Sequence, residues 1–222
     1  MEDHRSRFLR LAIRADALRF GEFTLKSGRS SPYFFNAGHF NSGTLLADLA
    51  ECYADALESA STAGLLGDFD LLFGPAYKGI PLASALACAY ARRGRDLPLA
   101  FNRKEPKVHG EGGHLIGAPL AGKRVLIVDD VITAGTAICE ALAIISDAGG
   151  KPAGIVIALD RQERAGEDDG RSAAQAVAAE HAIPVIAVAG LEDLLAFAAK
   201  TTELGQQRNA LLAYHARYGS SA

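Results

Sequence analysis

No stretch of the chain approaches the roughly 18 apolar residues that a membrane span requires, and its first residues do not read as a signal peptide. Cysteine is scarce. Cys52, Cys88 and Cys139 stand far apart on helical patterns with no C-x-x-C pair, which argues against a disulfide scaffold and against a zinc site. Buried free thiols in a reducing, cytoplasmic setting are the expectation. An excess of one charge is missing too: 23 basic residues stand against 26 acidic ones, a net charge of −3. Neither a nucleic-acid footprint nor a membrane partner is therefore expected. The two best-known phosphate loops are also absent. No G-x-G-x-x-G opens a helix. The nearest approach to a Walker loop, 117–124, ends in Arg124 instead of a hydroxyl and precedes its strand.

At 222 residues, 49% of them hydrophobic and 22% charged, the chain can bury one sizeable core. Helical periodicity marks 8–15 and 45–56, with short strands near 23–24 and 33–35. Strands at 69–73, 99–102, 125–128, 155–159 and 185–188 then alternate with helices at 80–92, after Thr136 and near 171–180, and two helices follow. This rhythm predicts an α/β fold, a mainly parallel central sheet flanked by helices. Residues before about 65 suit a small hood, 66–190 the core and 191–222 terminal helices, all within one domain. The stretch 103–120 carries no apolar periodicity. A loop of that length is expected to act as a lid, in which Lys104, Lys107 and His109 can fold over a diphosphate while Gly110, Gly112 and Gly113 let it reopen.

Residues 125–137 are the most informative run. Four apolar residues, 125–128, read as a strand buried on both faces; Asp129 and Asp130 follow where it ends. Next come Thr133, Ala134, Gly135 and Thr136, then a helix with Ile138, Ala141, Leu142 and Ile145 on one face. Free N–H groups and the positive end of the helix dipole make such a loop a seat for phosphate. Carboxylates beside it would repel a bare phosphate, yet they suit sugar hydroxyls or a metal ion. A phosphorylated sugar satisfies both halves. The plainer reading is an ordinary strand-to-helix turn with solvated acids, since Asp is common at N-caps.

This run resembles the signature of the type I phosphoribosyltransferases, enzymes that use 5-phosphoribosyl 1-diphosphate. Four further motifs resemble the orotate phosphoribosyltransferase family: 23–38 (FTLKSGRSSPYFFNAG), 73–81 (FGPAYKGIP), 103–113 (RKEPKVHGEGG) and 159–163 (LDRQE). The likeness runs from about residue 5 into the terminal helices. It implies the type I phosphoribosyltransferase fold and transfer of a phosphoribosyl group to orotate in pyrimidine synthesis. It also implies Mg2+ as cofactor and a homodimer whose lid is shared between subunits. A purine phosphoribosyltransferase would keep the 125–137 run. A nucleotide-sensing regulator could borrow the same fold, but no added helix-turn-helix is present and the acidic balance weighs against it.

The resemblance also implies roles. Asp129 and Asp130 hold the ribose hydroxyls and lie near the positive sugar, with proton transfer left open. The 5′-phosphate sits over 133–137, so that Val131, Ile132, Thr133, Ala134, Gly135, Thr136 and Ala137 surround the donor. Tyr77, Lys78, Arg103, Lys104, Lys107 and His109 contact its diphosphate, with Lys107 and His109 counted as catalytic beside the two aspartates. Orotate falls to Lys26, Phe34, Phe35, Thr133 and Arg161. Phe34 and Phe35 are adjacent on a strand and face opposite sides, one toward the core and the other free to stack on a pyrimidine. Pro106 stiffens the lid. No side chain is assigned as a metal ligand.

Overall fold

The computed structural model describes residues 3–25, 28–107, 113–133, 135–164, 170–201 and 204–220, and the backbone alone at 106 and 107. Helix α1 (His4–Arg14) leads into strands β1 (Leu18–Thr24) and β2 (Ser30–Phe35) and then helix α2 (Gly43–Thr62). The strand–helix core follows: β3 (Leu71–Gly74), α3 (Gly79–Arg92), β4 (Leu99–Lys107), β5 (Gly113–Gly117), β6 (Arg124–Asp129), α4 (Thr136–Asp147), β7 (Lys151–Asp160), α5 (Ala173–His181) and β8 (Val185–Gly190). Helices α6 (Leu191–Lys200) and α7 (Gly205–Tyr218) come last.

β1 and β2 form a small antiparallel sheet of their own, and the main sheet runs β5-β4-β3-β6-β7-β8. All its pairings are parallel except β4 with β5. From β3 the chain steps outward to β4 on one side; from β6 it proceeds through β7 to β8 on the other. The order therefore reverses between β3 and β6, the place where open sheets bind ligands.

Continuous apolar runs make the inner strands because both of their faces are covered. Leu72, Leu126, Val128, Val156 and Ala158 face one layer, shared with α1, α2, α3 and α6. Leu71, Phe73, Val125, Ile127, Ile155 and Ile157 face the other, where Ile138, Ala141, Leu142 and Ile145 of α4 meet Ala174 and Val177 of α5. The alternation along each strand is the period-two pleat.

Two expectations need correction. The 103–120 stretch is not a structureless loop: β4 continues to Lys107 and pairs antiparallel with β5, ending at Lys107 opposite Gly113. Lys104 and Glu105, adjacent on β4, are both exposed and leave no hydrophobic alternation to read there, although Leu115 of β5 packs against the core. Of the three cysteines only Cys52 is buried; Cys88 and Cys139 are exposed on α3 and α4. Their periodicity marked the helices correctly without telling which side faced water.

Candidate active site

The carboxyl ends of β3 and β6 meet at the sheet's reversal point. After β3 the chain turns through Gly74 and Gly79 with backbone packed on backbone. A Cβ at Gly74 would lie 2.4 Å from the Gly79 carbonyl oxygen, and one at Gly79 would lie 2.7 Å from that of Val128. Only glycine permits this approach. It brings Lys78, at the start of α3, to the acidic pair, where its Nζ lies 2.6 Å from Asp130 Oδ2.

Asp129 and Asp130 are 8% and 6% exposed. Burial is tolerated because both are bonded: Asp129 Oδ1 accepts the Asp130 N–H at 2.9 Å, and Asp130 Oδ1 accepts the Val131 N–H at 3.0 Å. Tyr53, fully buried on α2, donates its hydroxyl to the Asp129 carbonyl at 2.7 Å. Burial, and then the neighbouring Asp130 charge, push the Asp129 carboxyl up to about 7.

Beyond the pair, Gly135 takes φ +74° as the N-cap of α4 and has no side chain to cap the first turn. A Cβ there would meet Val177 Cγ2 at 3.2 Å. Thr133, Thr136 and Ala137 are exposed and Val131 is half-buried, whereas the Ile132 side chain packs into the core. Ala134 lies outside the described residues.

The hairpin contributes from the β4 side. Asn102 Oδ1 accepts the Ala76 N–H at 2.8 Å, tying the 75–78 turn to β4. Tyr77 is 69% exposed, and Lys104 Nζ sits 5.5 Å from its ring centroid. Arg103 is half-buried, and its carbonyl lies 3.4 Å from His114 Nδ1. His109 and the Lys107 side chain lie outside the described residues.

Arg161 follows β7 and is nearly buried, 14% exposed. Its Nε and Nη2 donate to Glu163 Oε1 at 2.8 and 2.6 Å, Nη2 reaches Ser31 Oγ at 3.3 Å, and the guanidinium covers the Tyr33 ring at 4.7 Å. Burial alone would lower its pKa; Tyr33 and Glu163 reverse the sign. Of the two phenylalanines, Phe35 packs in the core against Phe8 and Phe40. Phe34 faces outward, stacked on Phe23 at 5.5 Å with Arg19 over both rings. Because Tyr33 and Ser31 lie on the other face of β2, Phe34 and Arg161 are not brought together. Lys26 lies outside the described residues.

A model of the phosphoribosyl transferase domain matches residues 47–176. The orotate phosphoribosyltransferase of Xanthomonas oryzae pv. oryzae is 74% identical over 220 residues, covering 99% of this chain and 98% of that protein. The chain belongs to the orotate phosphoribosyltransferase family. It is thus a pentosyltransferase with a type I phosphoribosyltransferase fold. Among solved structures, the orotate phosphoribosyltransferase of Francisella tularensis superposes with a TM-score of 0.83 at 41% identity, covering 96% of this chain and 99% of that one. That of Mycobacterium tuberculosis, solved with 5-phospho-α-D-ribosyl 1-diphosphate, gives 0.63 at 25% identity, covering 86% and 98%.

Three side chains escape sequence reasoning at this family's site. Tyr53 reads as one more apolar position on α2, and nothing local reveals its bond to Asp129. Asn102 carried a signal, a polar residue closing the apolar run 99–101. Glu163 stood inside the quoted 159–163 motif, but its contact with Arg161 depends on a turn through Gln162 at φ +49°.

Proposed function

We propose that the chain transfers the 5-phosphoribosyl group of 5-phosphoribosyl 1-diphosphate to orotate, giving orotidine 5′-monophosphate and diphosphate in pyrimidine synthesis. One observation carries this reading: a buried acidic pair and the uncapped start of α4 stand side by side at the sheet's reversal point. Identity of 74% to an orotate enzyme over nearly the whole chain favours orotate over a purine.

In the reaction the bond from the anomeric carbon to diphosphate breaks and a bond to a ring nitrogen of orotate forms. The ribose carries positive charge between the two events. Asp129 and Asp130 stabilise that charge and hold the ribose hydroxyls, while N–H groups over 133–137 hold the 5′-phosphate. Tyr77, Lys78, Arg103 and Lys104 receive the departing diphosphate, and Lys107 and His109 complete the set from the hairpin. Arg161 offers its guanidinium to the orotate carboxylate. Thr133 and Lys26 complete the orotate site, and Phe34 and Phe35 contribute through the β2 backbone, since the Phe34 ring faces away from Arg161.

Among the described residues no three His, Cys, Asp or Glu side chains come together to hold a metal ion. The two aspartates supply hard oxygens of the kind Mg2+ prefers, with substrate and water left to supply most ligands. When bound, Mg2+ would neutralise charge on the departing diphosphate. A homodimer in which 103–113 serves the neighbouring site completes the proposal. A cytoplasmic location suits the free thiols.

The test is orotate absorbance on mixing with the donor, with and without Mg2+. Loss of absorbance that requires donor and metal is the expected result. Turnover of adenine or xanthine with orotate untouched would overturn the reading.

A further inference from the structure

Glu163 and the segment 217–220 at the end of α7 have no part in the chemistry above, yet they converge on Arg161. Residues 217–220 run antiparallel to 162–164. The Arg164 N–H donates to the Tyr218 carbonyl at 2.9 Å, and the Ser220 N–H to that of Gln162 at 2.7 Å. Glu163 pairs with Gly219 between them, and the Arg164 guanidinium donates to the Arg217 carbonyl. Pairing of this kind fixes the direction of a side chain. Here it aims Glu163, 12% exposed, at Arg161. A second tie comes from α7: Tyr214 packs edge-on against Tyr33, whose ring lies under the guanidinium.

We propose that Glu163 and the strap 217–220 are positioning elements for Arg161, making the chain's affinity for the anionic base depend on the segment that closes its last helix. The inference rests on the reading that Arg161 takes the orotate carboxylate. An arginine buried beside aromatic rings needs an anionic partner in the free protein. Glu163 supplies one and holds the Nε–Nη2 edge with a single oxygen, which fixes the plane of the fork. The competing role is a plug: a Glu163 carboxylate that occupies Arg161 and must be displaced by substrate. The two roles differ in sign.

Steady-state kinetics on four variants decide the matter, each checked by thermal melting. Glu163→Ala should raise KM for orotate about tenfold while KM for the sugar donor stays within about twofold, and Glu163→Gln, which keeps an acceptor oxygen, should recover part of the loss. Gly219→Val should act in the same direction without touching Arg161, because a Cβ there would lie 2.5 Å from the His215 carbonyl oxygen and lift the strap. A fall in orotate KM for Glu163→Ala would establish the plug and overturn the proposal, as would equal changes for both substrates. Arg161→Ala separates the layers. If it leaves orotate KM unchanged, the carboxylate reading itself fails. If it raises that KM and Glu163→Ala does not, only the positioning role fails. Should Gly219→Val not fold, the two Glu163 variants still decide.

Discussion

Lys78 Nζ lies 2.6 Å from Asp130 Oδ2, joining two side chains that the proposed reaction assigns to opposite ends of the sugar donor. In the free protein the cation proposed for the diphosphate is held by the carboxylate proposed for the ribose. The lysine is half-exposed, so solvent screens the pair and its net worth is about 1 kcal/mol or less. Donor binding can therefore separate them at small cost.

Replacing the lysine follows from that pairing. Lys78→Gln should lower kcat/KM for the donor by about tenfold or more, equivalent to roughly 1.4 kcal/mol, while the melting temperature moves by only a few degrees. Kinetics with varied donor concentration and a thermal melt check both. An unchanged kcat/KM would remove Lys78 from the diphosphate site.

The acidic pair gives a dependence on pH with a definite sign. Burial and the Asp130 charge raise the Asp129 carboxyl from an ordinary 3.8 to about 7, so the folded protein holds this proton more tightly than the unfolded chain. The contribution to stability is fully present below pH 3.8 and is lost as pH rises through about 7. Asp129→Asn removes the penalty and keeps an oxygen for the Asp130 N–H. It should melt several degrees above the parent at pH 8, given roughly 2–4 °C per kcal/mol for a chain of this size, and the gap should close toward pH 4. A gap that is constant with pH, or reversed at pH 8, would contradict the raised carboxyl.

Sharing of the hairpin between subunits is testable by mixing. Lys107→Ala and Asp130→Asn should each be nearly inactive alone. If Lys107 serves the neighbouring site, a mixed two-fold dimer contains one site with both residues intact and one with both replaced. Such dimers should regain about a quarter to a half of parental activity. Activity assays on dimers verified to be mixed provide the measurement. No recovery would mean that the hairpin acts within its own subunit.

What the sequence disclosed follows from where each element sits. Val125, Leu126, Ile127 and Val128 are wholly buried, so β6 announced itself as an unbroken apolar run, and α4 followed because Ile138, Ala141, Leu142 and Ile145 line one buried face. The hairpin of β4 and β5 stayed hidden because Lys104 and Glu105, on opposite faces of β4, both meet water. At the site, Asp129 and Asp130 were legible as acids ending a buried strand. Their bonds to Lys78 and Tyr53 were not, since each spans more than fifty residues of chain and is set only when α2 and α3 pack on the sheet. That Phe34 and Arg161 lie apart has a local reason: the pleat of β2 sends Tyr33 inward to the arginine and Phe34 outward to Phe23.

Tyr53 offers a test of how far the acidic pair depends on the layer beneath it. Its hydroxyl reaches the Asp129 carbonyl at 2.7 Å from a wholly buried position, where the backbone leaves β6 and turns toward the loop. Tyr53→Phe deletes one oxygen and preserves the ring packing, so the loss is that of one buried hydrogen bond, about 1–2 kcal/mol. The melting temperature should fall by roughly 2–8 °C on the scale given above. Because the carbonyl belongs to a residue that the proposed reaction assigns to the ribose, kcat/KM for the donor should fall severalfold while KM for orotate stays near the parent's. A stability loss with donor kinetics intact would assign Tyr53 to the core alone.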